Sequence, residues 1–247
     1  MVRALLAVRF LTIVPVSRRD HAGLDDLGRA APWFPVVGAG LGLGLAAIDA
    51  LTIRVFPPLL AAVLTVTAWT LLTGGLHLDG LADCLDGLAG RNPAERGAIM
   101  SDSRIGAFGA MGLVLLLMLK LAAFGELPLA VRWRVLVTAP VVARATPAVL
   151  GRLFRPARAE GQGALFCAGL GRAAVPSALA VAIVVAVGVL DGLGLVALGV
   201  GVGAAVVIGA FFSRRLGGVT GDVLGAAVEL TELAVLLTVS AWTFTRP

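Results

Sequence analysis

The sequence predicts an all-α integral membrane protein whose helices cross the bilayer several times. Hydrophobic residues make up 59% of the 247-residue chain and charged residues only 14%, whereas about a quarter of a typical soluble domain is charged. Several apolar stretches also approach the roughly 20 residues that a helix needs to span a bilayer. A soluble fold of this length could not bury so much apolar surface, so we expect a single membrane domain over residues 1–247.

Seven apolar stretches qualify, or nearly qualify, as spans of a transmembrane helical bundle. They are Pro32–Val55, Pro57–Leu76, Gly106–Phe124, Leu127–Leu150, Ala174–Leu190, Gly192–Phe212 and Val223–Phe244. The Asp-Gly pair that separates the fifth from the sixth is a tight turn signal. Residues 1–16 superficially resemble a signal peptide, but Arg9 interrupts their short apolar run, so we expect a retained amphipathic or half-inserted segment.

The distribution of arginine predicts the orientation of the spans. Fourteen of the 20 Lys and Arg residues lie in segments 1–31, 77–105, 151–173 and 213–222. Short cytoplasmic loops are enriched in Lys and Arg, so we expect a multi-pass protein of the cell membrane with its N-terminus inside and its C-terminus outside. Loops at about 77–105, 151–173 and 213–222 would then face the cytoplasm. Topology accounts for these basic residues, so we expect contact with membrane lipid and no nucleic-acid partner.

The most unusual stretch is GLHLDGLADCLDGLAG at 75–90. Asp79, Asp83 and Asp86 are spaced i, i+4 and i+7, which places them on one face of a helix. Three carboxylates on one stripe repel each other unless a cation lies between them, and Mg²⁺ typically binds carboxylates together with substrate phosphates. A solvated acidic helix end is the alternative, but the intervening leucines and glycines do not fit a generic charged surface. We therefore expect a magnesium site here.

Two neighbouring segments add candidates to this loop. His77 lies one turn from the stripe and could be a base, a substrate contact or an interface residue. In SDSRIGAFG at 101–109, Asp102 could add a ligand and Arg104 could bind phosphate through its planar guanidinium. Alternatively, Asp102 and Arg104 pair only with each other.

A third group of candidates lies in RRLGGVTGD at 214–222. Arg214 and Arg215 are candidate substrate-binding residues, and Asp222 is a candidate for both substrate and metal binding. All three fall on the predicted cytoplasmic face, together with the aspartate stripe. Carboxylates, arginines and glycines from separate segments are expected at a phosphoryl-transfer site, where catalysis depends mostly on positioning and charge neutralisation.

Charged residues within the spans form the last group. Arg144 and the basic loop 152–163 could receive an anionic substrate, or could reflect topology alone. Glu229 shares a helix face with Asp222 because seven residues separate them, so it could bind at the same site. Glu229 could also pair with Lys120 or Arg144, and for Glu232 the structural ion pair is the favoured interpretation.

Five stretches occur in the order expected for one known family. They are RFLTIVPV, WFPVVGAGLG, GGLHLDGLADCLDGLAG with the following IMSDSRIGAFG, ARAEGQG, and LGGVTGDVLGAAVEL. Together they extend over nearly the whole chain, and the chain resembles the cobalamin synthase family, the adenosylcobinamide-GDP ribazoletransferases. The aspartates of the stripe show no departure from the family pattern.

The resemblance implies a magnesium-dependent transferase of vitamin B12 synthesis. It would join adenosylcobinamide-GDP to α-ribazole or its 5′-phosphate, giving adenosylcobalamin or its phosphate and GMP. One or two magnesium ions would be held by the stripe with Asp102 or Asp222, and Arg104 would neutralise phosphoryl charge. Membrane CDP-alcohol phosphotransferases, which also use a helical aspartate cluster, are an analogy and an alternative.

Two other classes of function compete with this interpretation. A transporter would fit the spans and the intramembrane charge, but transporters tend to show internal repeats and midplane binding groups. A non-catalytic membrane subunit would leave the aspartate stripe unexplained. The sequence leaves open whether the glycine-rich fifth and sixth spans pack within the chain or against a second copy in a homo-oligomer.

Overall fold

The structure is a computed structural model that describes residues 2–16, 23 and 26–246. Its helices are α1 (Val2–Leu11), α2 (Leu27–Ala30), α3 (Phe34–Thr52), α4 (Pro58–Leu72), α5 (Leu76–Gly87), α6 (Pro93–Ile99), α7 (Ala107–Gly125), α8 (Leu129–Leu153), α9 (Gln162–Gly169), α10 (Ala174–Leu216) and α11 (Gly221–Thr245), with a 3₁₀ turn at Ala31–Trp33. Within the described residues, β-structure is limited to one bridge between Pro156 and Val219. The all-α prediction is confirmed. Arg18 and Arg19, which contribute to the predicted orientation, lie outside the described residues.

Several of these helices can cross a membrane. Among the described residues, five are long and apolar enough, or six if α4 and α5, which meet at 86°, form one broken span. Helix α10 has 43 residues but is interrupted at Asp191 (φ 53°, ψ −135°), the predicted turn. A Cβ on Gly194 would lie 2.0 Å from the Ala186 carbonyl oxygen, although eight residues of continuous helix rise about 12 Å. The two halves therefore fold back on each other. The multi-pass bundle is confirmed, while seven spans and the N-in, C-out orientation stay predictions.

Helix α8 forms the centre of the bundle. It packs against α3, α10 and α11 and is buried along almost its whole length. By contrast, α7 and α10 expose large apolar side chains, among them Leu115, Met118, Val184 and Val207. Apolar surface on this scale fits contact with lipid rather than water.

Glycines set the close contact between α3 and α8. A Cβ on Gly38 would lie 2.6 Å from the Pro140 carbonyl oxygen, and a Cβ on Gly42 would lie 2.5 Å from that of Leu136. No side chain fits in either gap. The spacing of four residues is the small-residue pattern that lets membrane helices approach closely.

The chain turns sharply between α4 and α5, and this turn positions the aspartate stripe. Gly74 and Gly75 have φ values of 63° and 69°, which glycine adopts without steric cost. Further along α5, Gly80 brings the helix against the start of α11, since a Cβ there would lie 2.9 Å from the Cα of Asp222. This approach brings the stripe beside a carboxylate far away in the sequence.

Candidate active site

Three carboxylates from α5 and α11 lie together at this junction. Asp79 is exposed and Asp83 half-buried. Within the described residues neither side chain has a hydrogen bond or an ion pair, and Asp222 accepts one from the Thr220 hydroxyl at 3.3 Å. Partial burial, together with the charges of Asp79, Asp222 and Asp86, raises the pKa of Asp83 to about 6. The junction therefore concentrates negative charge without an ion-pairing partner.

The donor set suits a magnesium ion. Carboxylate oxygens are the hard ligands that Mg²⁺ prefers, and a divalent cation would relieve the repulsion among Asp79, Asp83 and Asp222. Across the described part of the chain, however, no three His, Cys, Asp or Glu side chains are grouped closely enough to hold a metal ion. The magnesium site stays a prediction that is supported by the chemistry of the donors.

Asp86 is buried and engages the first turn of α7. Its Oδ2 accepts a hydrogen bond from the Gly106 amide and its Oδ1 one from the Gly109 amide, both at 2.8 Å. A carboxylate at a helix N-terminus satisfies free amides and complements the helix dipole. Asp86 thus fixes the start of α7 and the loop before it. Its predicted role as a metal ligand would compete with these bonds.

Asp102 and Arg104 pair with each other, as the sequence alternative expects. The Arg104 Nη2 lies 2.6 Å from the Asp102 Oδ2, and the Arg104 side chain is 87% exposed. These hydrogen bonds hold the pKa of Asp102 down at about 2. Both residues line an open cavity of about 670 Å³ that Asp79 and Asp83 also border. Arg104 therefore lies where it could exchange this partner for a phosphate.

Arg144 belongs to a buried charge cluster rather than to the surface loop. Its Nη1 donates to the Oε1 of Glu232, which also accepts from the Trp69 indole at 3.3 Å. The Lys120 ammonium lies 2.5 Å from Glu229 and 2.6 Å from Glu232. Glu229 thus forms the ion pair that was one of its two predicted alternatives, and it borders neither of the cavities that Asp79 lines.

The two arginines at the end of α10 also lie away from these cavities. Arg214 is exposed and has no hydrogen bond or ion pair within the described residues. The guanidinium of Arg215 lies 3.6 Å from the centre of the Phe211 ring. Their predicted role in substrate binding finds no support in a contact with the site and stays a prediction.

A second cavity of about 290 Å³ lies on the other side of Asp79. Asp79, Asp222, His77 and Arg144 all line it. His77 is buried; burial, reinforced by the nearby Arg144 charge, lowers its pKa to about 3, so the ring is neutral at physiological pH. Its Nδ1 has no hydrogen-bond partner within the described residues. The structure thus brings His77 and Arg144 together with two of the predicted carboxylates.

The sequence prediction missed the aromatic wall of this cavity. Phe10, Phe34 and Phe166 line it and come from α1, α3 and α9. Two of them stand in RFLTIVPV and WFPVVGAGLG, segments that carry the family resemblance. Those segments were the available signal, but phenylalanine in an apolar chain does not by itself indicate a binding site.

Comparisons with known proteins agree with the resemblance. The family model described as cobalamin-5-phosphate synthase matches residues 3–240. Proteins named adenosylcobinamide-GDP ribazoletransferase are similar over nearly their whole length. The relative from Geotalea daltonii is 41% identical, covering 96% of each chain, and that from Chlorobium phaeobacteroides is 38% identical, covering 93% of each. The relative from Clostridium acetobutylicum is 33% identical over 99% of this chain and 98% of its own. No solved structure matches the chain.

Proposed function

Because the chain belongs to the cobalamin-5-phosphate synthase family, we propose that it joins adenosylcobinamide-GDP to ribazole, or to ribazole 5′-phosphate, and releases GMP. The end-to-end similarity to ribazoletransferases supports this activity. The location of the site is supported by Asp79, Asp83 and Asp222. These three carboxylates have no ion pair within the described residues, and they line two adjoining cavities. A transporter or a non-catalytic subunit would not need this arrangement, and the similar proteins are named as transferases.

The proposed reaction exchanges one oxygen on phosphorus for another. A ribose hydroxyl of ribazole forms a new P–O bond to the phosphorus nearer the cobinamide. The bond from that phosphorus to the oxygen of GMP breaks, and GMP leaves with the electron pair. The hydroxyl loses its proton. Asp79 and His77 both line the smaller cavity, and Asp79 is the favoured acceptor because a pKa of about 3 makes His77 a weak base.

Magnesium is part of the proposal. Because Asp79, Asp83 and Asp222 are not grouped closely enough to hold it alone, they would bind it together with the phosphate oxygens of the donor, and Asp102 could join them by giving up its bonds to Arg104. When bound, the metal would neutralise the negative charge of the donor's diphosphate and of the leaving group. Arg104, whose side chain is 87% exposed and lines the open cavity, would neutralise charge from that side.

We further propose that this site faces the cytoplasm from the cell membrane. The excess of arginine in the loops that carry the candidate residues supports that orientation.

The test is GMP release by detergent-purified protein given adenosylcobinamide-GDP and α-ribazole, with and without Mg²⁺. We expect release that requires both substrates and the metal and that falls at least 100-fold in Asp83→Asn. Glu126→Gln is the matched control. It removes an exposed carboxylate at the C-terminal end of α7, whereas Asp86 contacts the N-terminal end of that helix.

Each failure of this test has a separate meaning. A folded, lipid-supplied sample that releases no GMP would overturn the proposed activity. Full activity in Asp83→Asn, or an equal loss in Glu126→Gln, would leave the activity in place and refute its assignment to the stripe. Full activity in the presence of a chelator would refute the dependence on magnesium.

A further inference from the structure

The smaller cavity has one aromatic side. The rings of Phe10 and Phe34 have centroids 6.1 Å apart, and those of Phe34 and Phe166 are 5.8 Å apart. The interplanar angles are 23° and 25°, so Phe34 stacks against both of the other rings. Aromatic side chains that line a cavity are the kind of surface on which a planar aromatic group binds.

The opposite side of this cavity is polar and incompletely hydrogen-bonded. Arg144 is 1% exposed and His77 5%. The Arg144 Nη1 donates to Glu232 and to the Pro140 carbonyl, but its Nε and Nη2 have no partner within the described residues, and neither has the His77 Nδ1. Burial without a hydrogen-bond partner is unfavourable for each of these groups. A ligand with hydroxyl or ring-nitrogen groups would satisfy them.

The charge around the cavity favours an uncharged ligand group. Arg144 and Lys120 are balanced by Glu229 and Glu232, so the buried cluster has no net charge. At the mouth, the Asp79 and Asp222 carboxylates add negative charge. A diphosphate entering this cavity would therefore meet repulsion, whereas a neutral aromatic base and sugar would not.

Asp79 joins this cavity to the open one. It lines both, and the open cavity, at about 670 Å³ against about 290 Å³, also contains Asp83 and Arg104. The bulky corrinoid donor is too large for the smaller space. An acceptor in the aromatic cavity and a diphosphate in the open cavity would meet at Asp79, where the new P–O bond must form.

From these contacts we infer that the aromatic cavity is the acceptor site, which takes a nucleoside with an uncharged aromatic base. The base lies against Phe166, which Phe34 supports from behind. Its polar edge or the sugar meets Arg144 and His77, and a ribose hydroxyl points toward Asp79. This inference rests on the proposed transfer to ribazole and adds to it the place where the acceptor binds.

The test separates the two substrates kinetically. Phe166→Ala should raise the KM for ribazole by about 5- to 150-fold, the range expected when one stacking side chain is lost (about 1–3 kcal/mol per base). The KM for adenosylcobinamide-GDP and the kcat at saturating ribazole should stay within twofold of the wild type. Phe244→Ala, which truncates an 86% exposed ring at the end of α11, is the matched control and should change neither constant.

Ribazole binding can also be measured without turnover. Calorimetric titration of the detergent-purified protein with α-ribazole alone should show binding that weakens in Phe166→Ala and is retained in Phe166→Tyr, which keeps the ring. The melting temperature of each variant is measured beside it, and a variant that does not fold is replaced by Phe34→Leu.

The possible outcomes distinguish this inference from the proposed function. Ribazole binding that depends on Phe166, in a protein that releases no GMP, would support the acceptor site and refute the transfer. Normal GMP release with an unchanged ribazole KM in Phe166→Ala, or with a raised donor KM only, would leave the transfer in place and overturn the acceptor site. A copurified lipid that ribazole does not displace would also overturn it.

Discussion

The buried charge cluster around Arg144 predicts that loss of one of its charges strongly destabilises the protein. Lys120 lies on α7 and contacts two carboxylates of α11, with N–O distances of 2.5 Å to Glu229 and 2.6 Å to Glu232. All three side chains are at least 95% buried. Lys120→Met keeps the length and most of the volume of the side chain but removes its charge. The two carboxylates would then share only Arg144.

The expected loss of stability follows from the burial of these charges. Removing one partner of a buried ion pair costs about 3–5 kcal/mol, because the remaining charge has neither water nor a counter-ion. The Lys120 ammonium also lies 5.0 Å from the Trp69 ring centroid, a cation–π contact worth up to about 2 kcal/mol when desolvated. We therefore expect Lys120→Met to lower the free energy of unfolding by about 3–5 kcal/mol. Adding Glu229→Gln removes the surplus charge and should restore at least half of the loss.

The assay is reversible unfolding in mixed micelles with increasing SDS, followed by tryptophan fluorescence. Leu119→Met is the control, since it introduces methionine at the neighbouring, exposed position of α7. A stability of Lys120→Met equal to that of the control would refute the reasoning. So would a double variant that is less stable than the single one, because the penalty would then not come from an uncompensated carboxylate.

Two further predictions concern the site itself. Burial and the neighbouring carboxylates raise the pKa of Asp83 to about 6, so its ionised form is lost below that pH. GMP release at limiting Mg²⁺ should therefore rise between about pH 5 and 7. Asp79→Asn removes one of the neighbouring charges and should move that rise to lower pH. An unchanged profile in Asp79→Asn would contradict the coupling. Gly109→Ala places a Cβ 2.4 Å from the Asp86 carboxylate, so it should reduce activity by an order of magnitude or more. Gly44→Ala is the control and should not reduce activity, because its Cβ meets nothing within 4 Å. Equal activities of the two variants in a steady-state assay would refute the role of Asp86 in fixing the start of α7.

The sequence predicted the helices well because their signals are local. Apolar length indicates a span, Asp191-Gly192 indicates the break in α10, and the i, i+4, i+7 spacing places three aspartates on one helix, α5. The bend between α4 and α5 is less visible: the prediction continued a span to Leu76, whereas α4 ends at Leu72 and a pair of left-handed glycines follows.

The partners of the candidate residues could not be predicted in the same way. Asp86 finds its amide donors 20 and 23 residues away at the start of α7, and Arg144 finds Glu232 at a separation of 88 residues. Such contacts depend on how helices pack, which helical periodicity does not reveal. A stripe on one face can therefore divide its members between a ligand site and a structural contact.

Asp222 and Glu229 show the same limit of prediction from helical spacing, here along a single helix. Seven residues place them on one face of α11, and the sequence therefore offered a shared site. Seven residues also separate them by about 10 Å along the axis. Asp222 consequently lines the smaller cavity, while Glu229 lies two turns further along α11, where Lys120 is its partner.

Ion pairing identifies the structural charges among the buried residues of the membrane-spanning helices. A charge inside a span is costly and by default suggests a functional site, yet the buried charges of α8 and α11 are compensated: Arg144 by Glu232, and Arg132 by Asp49 at 3.5 Å. Asp79, Asp83 and Asp222, which have no ion pair within the described residues, lie instead at the junction of α5 and α11. Substitutions of Arg132 or Glu232 should therefore act through stability and those of the junction carboxylates through turnover. Substitution of Arg144, which also lines the aromatic cavity, should affect both, and an unfolding measurement beside each activity assay separates the two effects.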